Sequence, residues 1–176
     1  GAAALLLVAK DKQEELGFGH KPFIKVAGIA SATDTHYVAD REEPSDLLAV
    51  RLSAPKAYKM AGVGPEDIDV AELHDAFQIL EIAESEETGL FPRGSGHLAA
   101  REGKTEIHGE MPINTSGGLK AKGHPLGGTG VSQIVELVKQ LRGDAGDRQV
   151  KDAKTALAVN FGGFGNNVVS TVLKAE

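Results

Sequence analysis

One segment of this chain carries more chemical capacity than any other: Asn114-Thr-Ser-Gly-Gly-Leu-Lys-Ala-Lys-Gly-His-Pro-Leu-Gly-Gly-Thr-Gly130. Its residue types describe a strand end, a glycine-lined bend with an embedded His-Pro, and a helix start near Thr129. Glycines let a ligand or another backbone approach closely. A helix start offers unpaired N–H groups and the positive end of a dipole. His124, held by Pro125, supplies an imidazole, the side chain suited to proton exchange near neutral pH. Lys120 and Lys122 add positive charge. Gly123 and Gly128 have P-loop spacing, but Thr129 stands where the phosphate-binding lysine should follow. Spacing alone leaves open a catalytic loop and a structural glycine bend around an incidental histidine.

A second histidine, His74, ends a predicted strand. Residue type leaves two readings for it, a participant in chemistry or a strand-end ring bonded to a nearby carbonyl. Asp75 is expected to cap the helix it opens. His20, His36, His97 and His108 show no metal-ligand spacing, so no metal site is expected. His97 and His108 precede the glycine bend and are candidates for a site mouth. The acidic run 84–87 reads as a solvated, fraying helix end.

The elements that must position these residues follow from pattern. An apolar run over 1–9 reads as a strand buried on both faces, and Asp11 with Glu14 as a helix start stopping at Gly17. Residues 23–29 read as a strand and 33–45 as a loop. Residues 47–62 are helical in composition; Pro55 is expected to break them, the main helix starting with Ser53 as N-cap and ending at Gly62. A strand over 68–73 meets a helix from Ala76, with Phe77, Leu80, Ala83 and Glu84 on one side. Residues 90–110 show no periodicity, and 112–114 read as a short strand. The helix after the glycine bend has an apolar stripe of Val131, Ile134, Val135, Val138 and Leu141, with Gly143 as its stop. Strands at 155–159 and 168–173 flank hairpin chemistry. The pattern is an α/β layer fold, a mixed sheet with helices on its faces.

Composition narrows the function classes. Among 176 residues, 19 Lys and Arg face 25 Asp and Glu, a net charge of −6. Acidity without a basic cluster argues against nucleic acid as partner. The apolar run at the start is too short to cross a bilayer and lacks a basic n-region, so neither membrane nor signal peptide is expected. There is no cysteine, which removes thiolate chemistry from these residues and fits a reducing compartment, so a cytoplasmic location is expected.

The segment 114–130 resembles the thiolase-superfamily signature, in which Asn-x-x-Gly-Gly leads into Gly-His-Pro-x-Gly-x-x-Gly. Its wording is most similar to archaeal acetyl-CoA acetyltransferases and sterol-carrier-protein-type thiolases. Two further motifs fall in family order: Glu72-Leu-His-Asp-Ala-Phe77, where many members carry Asn-Glu-Ala-Phe, and Asn160-Phe-Gly-Gly-Phe-Gly165, where many carry Cys-x-Gly-Gly-Gly. The resemblance spans the chain. It implies half of the pseudo-symmetric thiolase fold: 1–19 as a remnant of the N-terminal domain and 20–176 as the C-terminal domain.

By the same resemblance, His124 matches the histidine that lowers the pKa of a nucleophilic cysteine and helps form an oxyanion hole. That cysteine lies in the family's N-terminal half. His74 matches the group that holds a catalytic water, and Gly162 the glycine whose N–H completes a second oxyanion hole. Asn114, Gly117, Gly118, Phe77 and Asn160 match substrate-binding positions. A coenzyme A thioester is implied as substrate, with no further cofactor. Implied partners are a homo-oligomer with the thiolase N-terminal half and a zinc-ribbon/OB-fold protein. The sequence departs from the family at its second acid/base: Asn160 and Ala76 occupy the two positions where that cysteine is found. An acyl-CoA C-acyltransferase, a thiolase-like aldolase and a non-catalytic CoA-binding or assembly subunit are therefore all kept as readings, and these residues alone are expected to be inactive.

Overall fold

The computed structural model describes residues 1–17 and 19–176; position 18, inside the expected N-terminal remnant, lies outside them. Four strands form one mixed sheet: β1 (Ile24–Thr33), β2 (Val70–Glu72), β3 (Thr155–Gly162) and β4 (Asn167–Ala175), in spatial order β1-β4-β3-β2. β4 runs antiparallel to both β1 and β3, while β2 lies parallel to β3. β3 is almost wholly buried and β4 is buried from Ser170 to Leu173, as a sheet covered on both faces requires.

Helices cover the two faces. α1 (Leu48–Ala61) packs on β1 and β4, and its small residues Ala49, Ala54 and Ala57 join Leu157, Val159 and Val172 in one core. α5 (Thr129–Arg142) packs on β2, β3 and β4, enclosing a second core of Val70, Leu137, Leu141, Ala156 and Leu173. The layered α/β arrangement read from the pattern is the arrangement found. α2 (Gln78–Glu87) and α3 (Gly96–Arg101) pack together beside α1, and α4 (Gly118–Lys122) is a short helix inside the glycine bend.

Pro55 does not break the second helical segment. α1 runs unbroken from Leu48–Ala61, and Ser53 is a buried packing residue bonded to Ser170 Oγ at 2.8 Å rather than an N-cap. Proline inside a helix costs about 3 kcal/mol through a lost bond and a clash. Here Pro55 is exposed, while the small-residue stripe on the opposite side stays continuous and buried, so tertiary packing prevails. Gly62 ends the helix in the left-handed conformation, as expected.

Other readings change for tertiary reasons. Residues 1–9 adopt no regular secondary structure; Leu6 and Leu7 are 72% and 75% exposed. A strand needs a neighbour in register, and among the described residues this run has none. It lies instead along α5 and β1, lining a groove of about 670 Å³. The helix read from Asp11 reduces to a 3-10 turn at Lys10–Lys12. Ile113 makes a single parallel bridge to Ala71 in place of a strand. The aperiodic stretch contains α3.

The acidic end of α2 is not frayed. Glu84 is fully buried, Glu86 accepts from the Gly94 and Gly96 N–H groups at 2.8 Å, and Glu87 pairs with Arg51 at 3.0 Å. Backbone and arginine donors from neighbouring segments supply what the local sequence lacks.

Helix α1 approaches β1 so closely that a Cβ at Gly28 would overlap the Ala57 carbonyl, beside a register shift between Val26 and Gly28. Because the obstacle is backbone, relief requires separating helix from sheet. Gly28→Ala is expected to lower stability by about 2–3 kcal/mol, read as a lower urea midpoint at unchanged m-value.

Candidate active site

β2 and β3 stop pairing at Glu72 and Ala158, and the site forms just beyond, at the carboxyl ends of the parallel strands. Open α/β sheets bind ligands at such ends. β2 leads straight into His74, β3 continues to Asn160, and the glycine bend delivers His124 to the same place. The two imidazoles meet edge to face, with ring centroids 4.9 Å apart and an interplanar angle of 83°. Residues 50 positions apart in sequence thus become neighbours.

The two rings live in different surroundings. His124 is exposed and lines an open pocket of about 500 Å³ with Asp75, Phe77, Ile79, Leu119 and Lys120. Its Nδ1 lies 2.7 Å from Thr129 Oγ1, and that hydroxyl also donates to Pro125 O at 3.2 Å. His74 is 3% exposed, and its ring lies 4.4 Å from Phe161. Burial, reinforced by the neighbouring His124, pulls the His74 pKa down to about 4, so this ring is neutral at pH 7.

Helix α5 ties both rings to the sheet through one face. Its buried residues include Thr129, Gln133, Glu136, Gln140 and Leu141. The apolar stripe read from the sequence is only partly right: Leu141 is buried, but Val131 is half-buried, as are Ile134, Val135 and Val138 on the flank toward residues 4–8. Gln133 faces the sheet instead, giving hydrogens to Glu72 O at 3.2 Å and Val159 O at 3.0 Å. Its Oε1 accepts from Asn160 Nδ2 at 3.1 Å, and the same Asn160 nitrogen lies 2.8 Å from His74 Nδ1. No pattern in the sequence marked Gln133; a lone glutamine beside an apolar stripe looks like the helix's wet side.

The glycine bend is fastened from below. Buried Glu72 accepts from Ser116 N and Oγ at 3.0 and 2.7 Å and from Lys122 Nζ at 3.2 Å. Burial pushes the Glu72 carboxyl up, and Lys122 and Ser116 counter it. Asp75 caps a helix other than the one expected: its Oδ1 accepts from Leu119 N at 2.8 Å in α4, while α2 starts at Phe77 without a side-chain cap. The extended chain through 74–77 carries the carboxylate across to α4, and Gly118 makes room. A Cβ there would overlap Asp75, and its φ of 64° suits glycine.

The remaining candidates have the following places. Asn114 is buried, its Oδ1 accepting from Leu73 N at 2.8 Å and its Nδ2 donating to Glu81 at 2.7 Å. Gly117 and Gly118 open α4. Phe77 is 63% exposed on the pocket wall. Gly162 ends β3 opposite Asn167, with nothing within 4 Å of where a Cβ would stand. His97 and His108 are exposed and do not line the pocket at His124. Glu84, read as solvated, lies behind the site: its Oε2 accepts from His74 N at 2.9 Å, and burial holds its carboxyl well above the ordinary range. Among the described residues, no group of three or more His, Asp or Glu could hold a metal ion, and no helix is long and apolar enough to cross a membrane.

Comparison with known proteins identifies this arrangement. Residues 30–175 match the thiolase C-terminal domain-like family, and the chain belongs to it. It is similar to the acetyl-CoA acetyltransferase of Methanothermobacter thermautotrophicus, 43% identical over 165 residues that make up 94% of this chain and 42% of that protein. It is also similar to sterol carrier protein 2 of Homo sapiens, 41% identical over 179 residues, 99% of this chain and 32% of that one. Among solved structures, a chain of the Ltp2-ChsH2(DUF35) aldolase superposes with a TM-score of 0.78 at 27% identity, covering 88% of this chain and 40% of its own. The chain thus spans less than half the length of these relatives. Family membership gives it a thiolase-like role.

The His74 ring also links folding to pH. The unfolded imidazole takes a proton below about pH 6.5, whereas the folded one does so only near pH 4. The unfolded state binds more protons between these values, so stability is intact above about pH 6.5 and falls toward pH 4. Between pH 7 and pH 4.5 the wild-type chain should lose about 2–3 kcal/mol more stability than His74→Phe. Urea titrations at the two pH values measure this; equal losses would refute the linkage.

Proposed function

We propose that this chain is the C-terminal part of an acyl-CoA C-acyltransferase that makes or cleaves 3-ketoacyl-CoA, with its nucleophilic cysteine supplied from outside these residues. The observation that carries the reading is the contact of an exposed and a buried imidazole, His124 and His74, at the ends of parallel strands. His124 Nε2 takes the cysteine proton, leaving a thiolate that attacks the thioester carbonyl; collapse of the tetrahedral adduct forms the acyl-cysteine and releases the coenzyme A thiolate. The protonated Nε2 then donates to the thioester or enolate oxygen. His74 supports that oxygen through a bound water. Gly162 N–H steadies the oxyanion of the tetrahedral intermediate, a donor type worth roughly 3–4 kcal/mol in the transition state. Phe77 and the loop at Gly117 and Gly118 contact the substrate, and Asn114 orients the strand end behind it. A coenzyme A thioester is the substrate, and the partners are the N-terminal half of the fold, further copies of the protein and a zinc-ribbon/OB-fold protein.

A second reading is a thiolase-like aldolase. It is favoured by Asn160 and Ala76, neither of which can move a proton near pH 7, and by the likeness to the Ltp2-ChsH2(DUF35) aldolase. Assaying the cysteine-bearing protein for thiolysis of acetoacetyl-CoA, and for cleavage of a 3-hydroxyacyl-CoA to a carbonyl compound and a shorter acyl-CoA, separates the two.

Purified alone, the 176-residue chain should show no thiolysis of acetoacetyl-CoA; measurable turnover would contradict an external nucleophile. In the cysteine-bearing protein, His124→Ala should abolish turnover while shifting stability by no more than about 1 kcal/mol, because the ring is exposed. Intact activity in that variant would remove His124 from the mechanism. Gly162→Ala keeps the backbone N–H and places a methyl in open space, so the fold should hold within about 0.5 kcal/mol and kcat should fall only as far as the methyl crowds the acyl group.

A further inference from the structure

We infer that Gln133 and Asn160 form a relay that fixes the tautomer of His74, making that ring an Nε2–H donor and never a base. Gln133 is thereby a positioning residue of the site, an inference that rests on the thiolase-like reading of His74.

The argument runs outward from the sheet. Carbonyl oxygens only accept, so the two at Glu72 and Val159 compel Gln133 to present Nε2 to them, 3.2 and 3.0 Å away. Those contacts use both amide hydrogens of a fully buried side chain. Gln133 Oε1 must then face Asn160, and the atom it meets at 3.1 Å must be a donor, Nδ2. The reversed Asn160 amide would set two acceptor oxygens against each other. The second Nδ2 hydrogen points to His74 Nδ1 at 2.8 Å, which must therefore be a lone pair. A neutral imidazole carries one hydrogen, and it is left on Nε2.

Among the described residues no other hydrogen bond competes for Nδ1: Phe161 and His124 pack against the ring, and Glu84 binds the backbone N–H of His74 rather than the imidazole. Burial also keeps the ring neutral at pH 7, which the relay requires.

The relay narrows the search for the group that removes the α-proton. His74 cannot take it, since its one lone pair is bound to Asn160. Glu72 cannot either, because it is buried beneath Ser116 and Lys122. Neither His74 nor Glu72 therefore serves as the base for the α-proton.

Long-range 1H–15N correlation spectra of the 15N-histidine-labelled chain at pH 7 test the relay, with His74→Gln identifying the signal. The expected result is an unprotonated Nδ1 and a protonated Nε2. Asn160→Leu removes the donor to Nδ1 and should leave His74 as a mixture of tautomers. In the cysteine-bearing enzyme it should lower kcat severalfold. Gln133→Leu should leave His74 as a mixture of tautomers. A wild-type ring protonated on Nδ1, or an Asn160→Leu ring still held wholly as the Nε2–H tautomer, overturns the relay, and the first needs no variant to fold. The thiolase-like reading fails separately: the predicted tautomer in a protein without thioester chemistry would sink that reading and leave the relay standing.

Discussion

One buried amide holds the site together. Gln133 joins the ends of β2 and β3 through the Glu72 and Val159 carbonyls and passes its remaining acceptor to Asn160. A glutamine fully removed from water is destabilising unless its hydrogen bonds are made, and here donors and acceptor all find partners. Satisfying them sets the rotation of α5 about its axis. Thr129, one turn earlier on the same face, is thereby turned inward, and through it His124 is held against His74. The placement of two rings from distant loops thus depends on which side of one helix faces the sheet.

Burial then divides the labour between those rings. His74 lies under Phe161 and beside His124, where a positive charge is disfavoured. His124 stands at the pocket with its Nδ1 engaged by Thr129. Environment buries one ring and keeps it neutral while leaving the other at the pocket surface, although the residue type is the same. Carboxylates beneath serve as scaffold: Glu72 fastens the glycine bend, Glu84 holds the His74 backbone, and Asp75 caps α4. Each is a charged or ionisable group placed where backbone N–H groups would otherwise lack partners, which is the ordinary justification for burying one.

Much of this was legible before any coordinates. The strands at Ile24, Val70, Thr155 and Asn167, the helix from Thr129–Arg142 and its stop at Gly143 followed from apolar runs and punctuation by glycine. What misled was local reasoning applied where distant partners decide. Pro55 is a helix breaker only if nothing buries the opposite face of α1. The run at 1–9 is a strand only beside another strand. Glu84 looked solvated because its neighbours in sequence are acids, but its neighbours in space are backbone donors. Gln133 and Asn160, 27 positions apart, carry no shared pattern that would pair them.

The sequence alone determined that a glycine-lined histidine bend, a His-Asp turn and an Asn-x-Gly-Gly turn follow in this order on an α/β frame, because glycine geometry and apolar periodicity are local properties. Tertiary structure decided which atoms meet: that His74 touches His124, that Asn160 faces a ring nitrogen, and that Asp75 serves α4 rather than α2. Hydrogen-bond direction and burial arise between segments far apart in the chain, so they exist only once the sheet and α5 have brought those segments together.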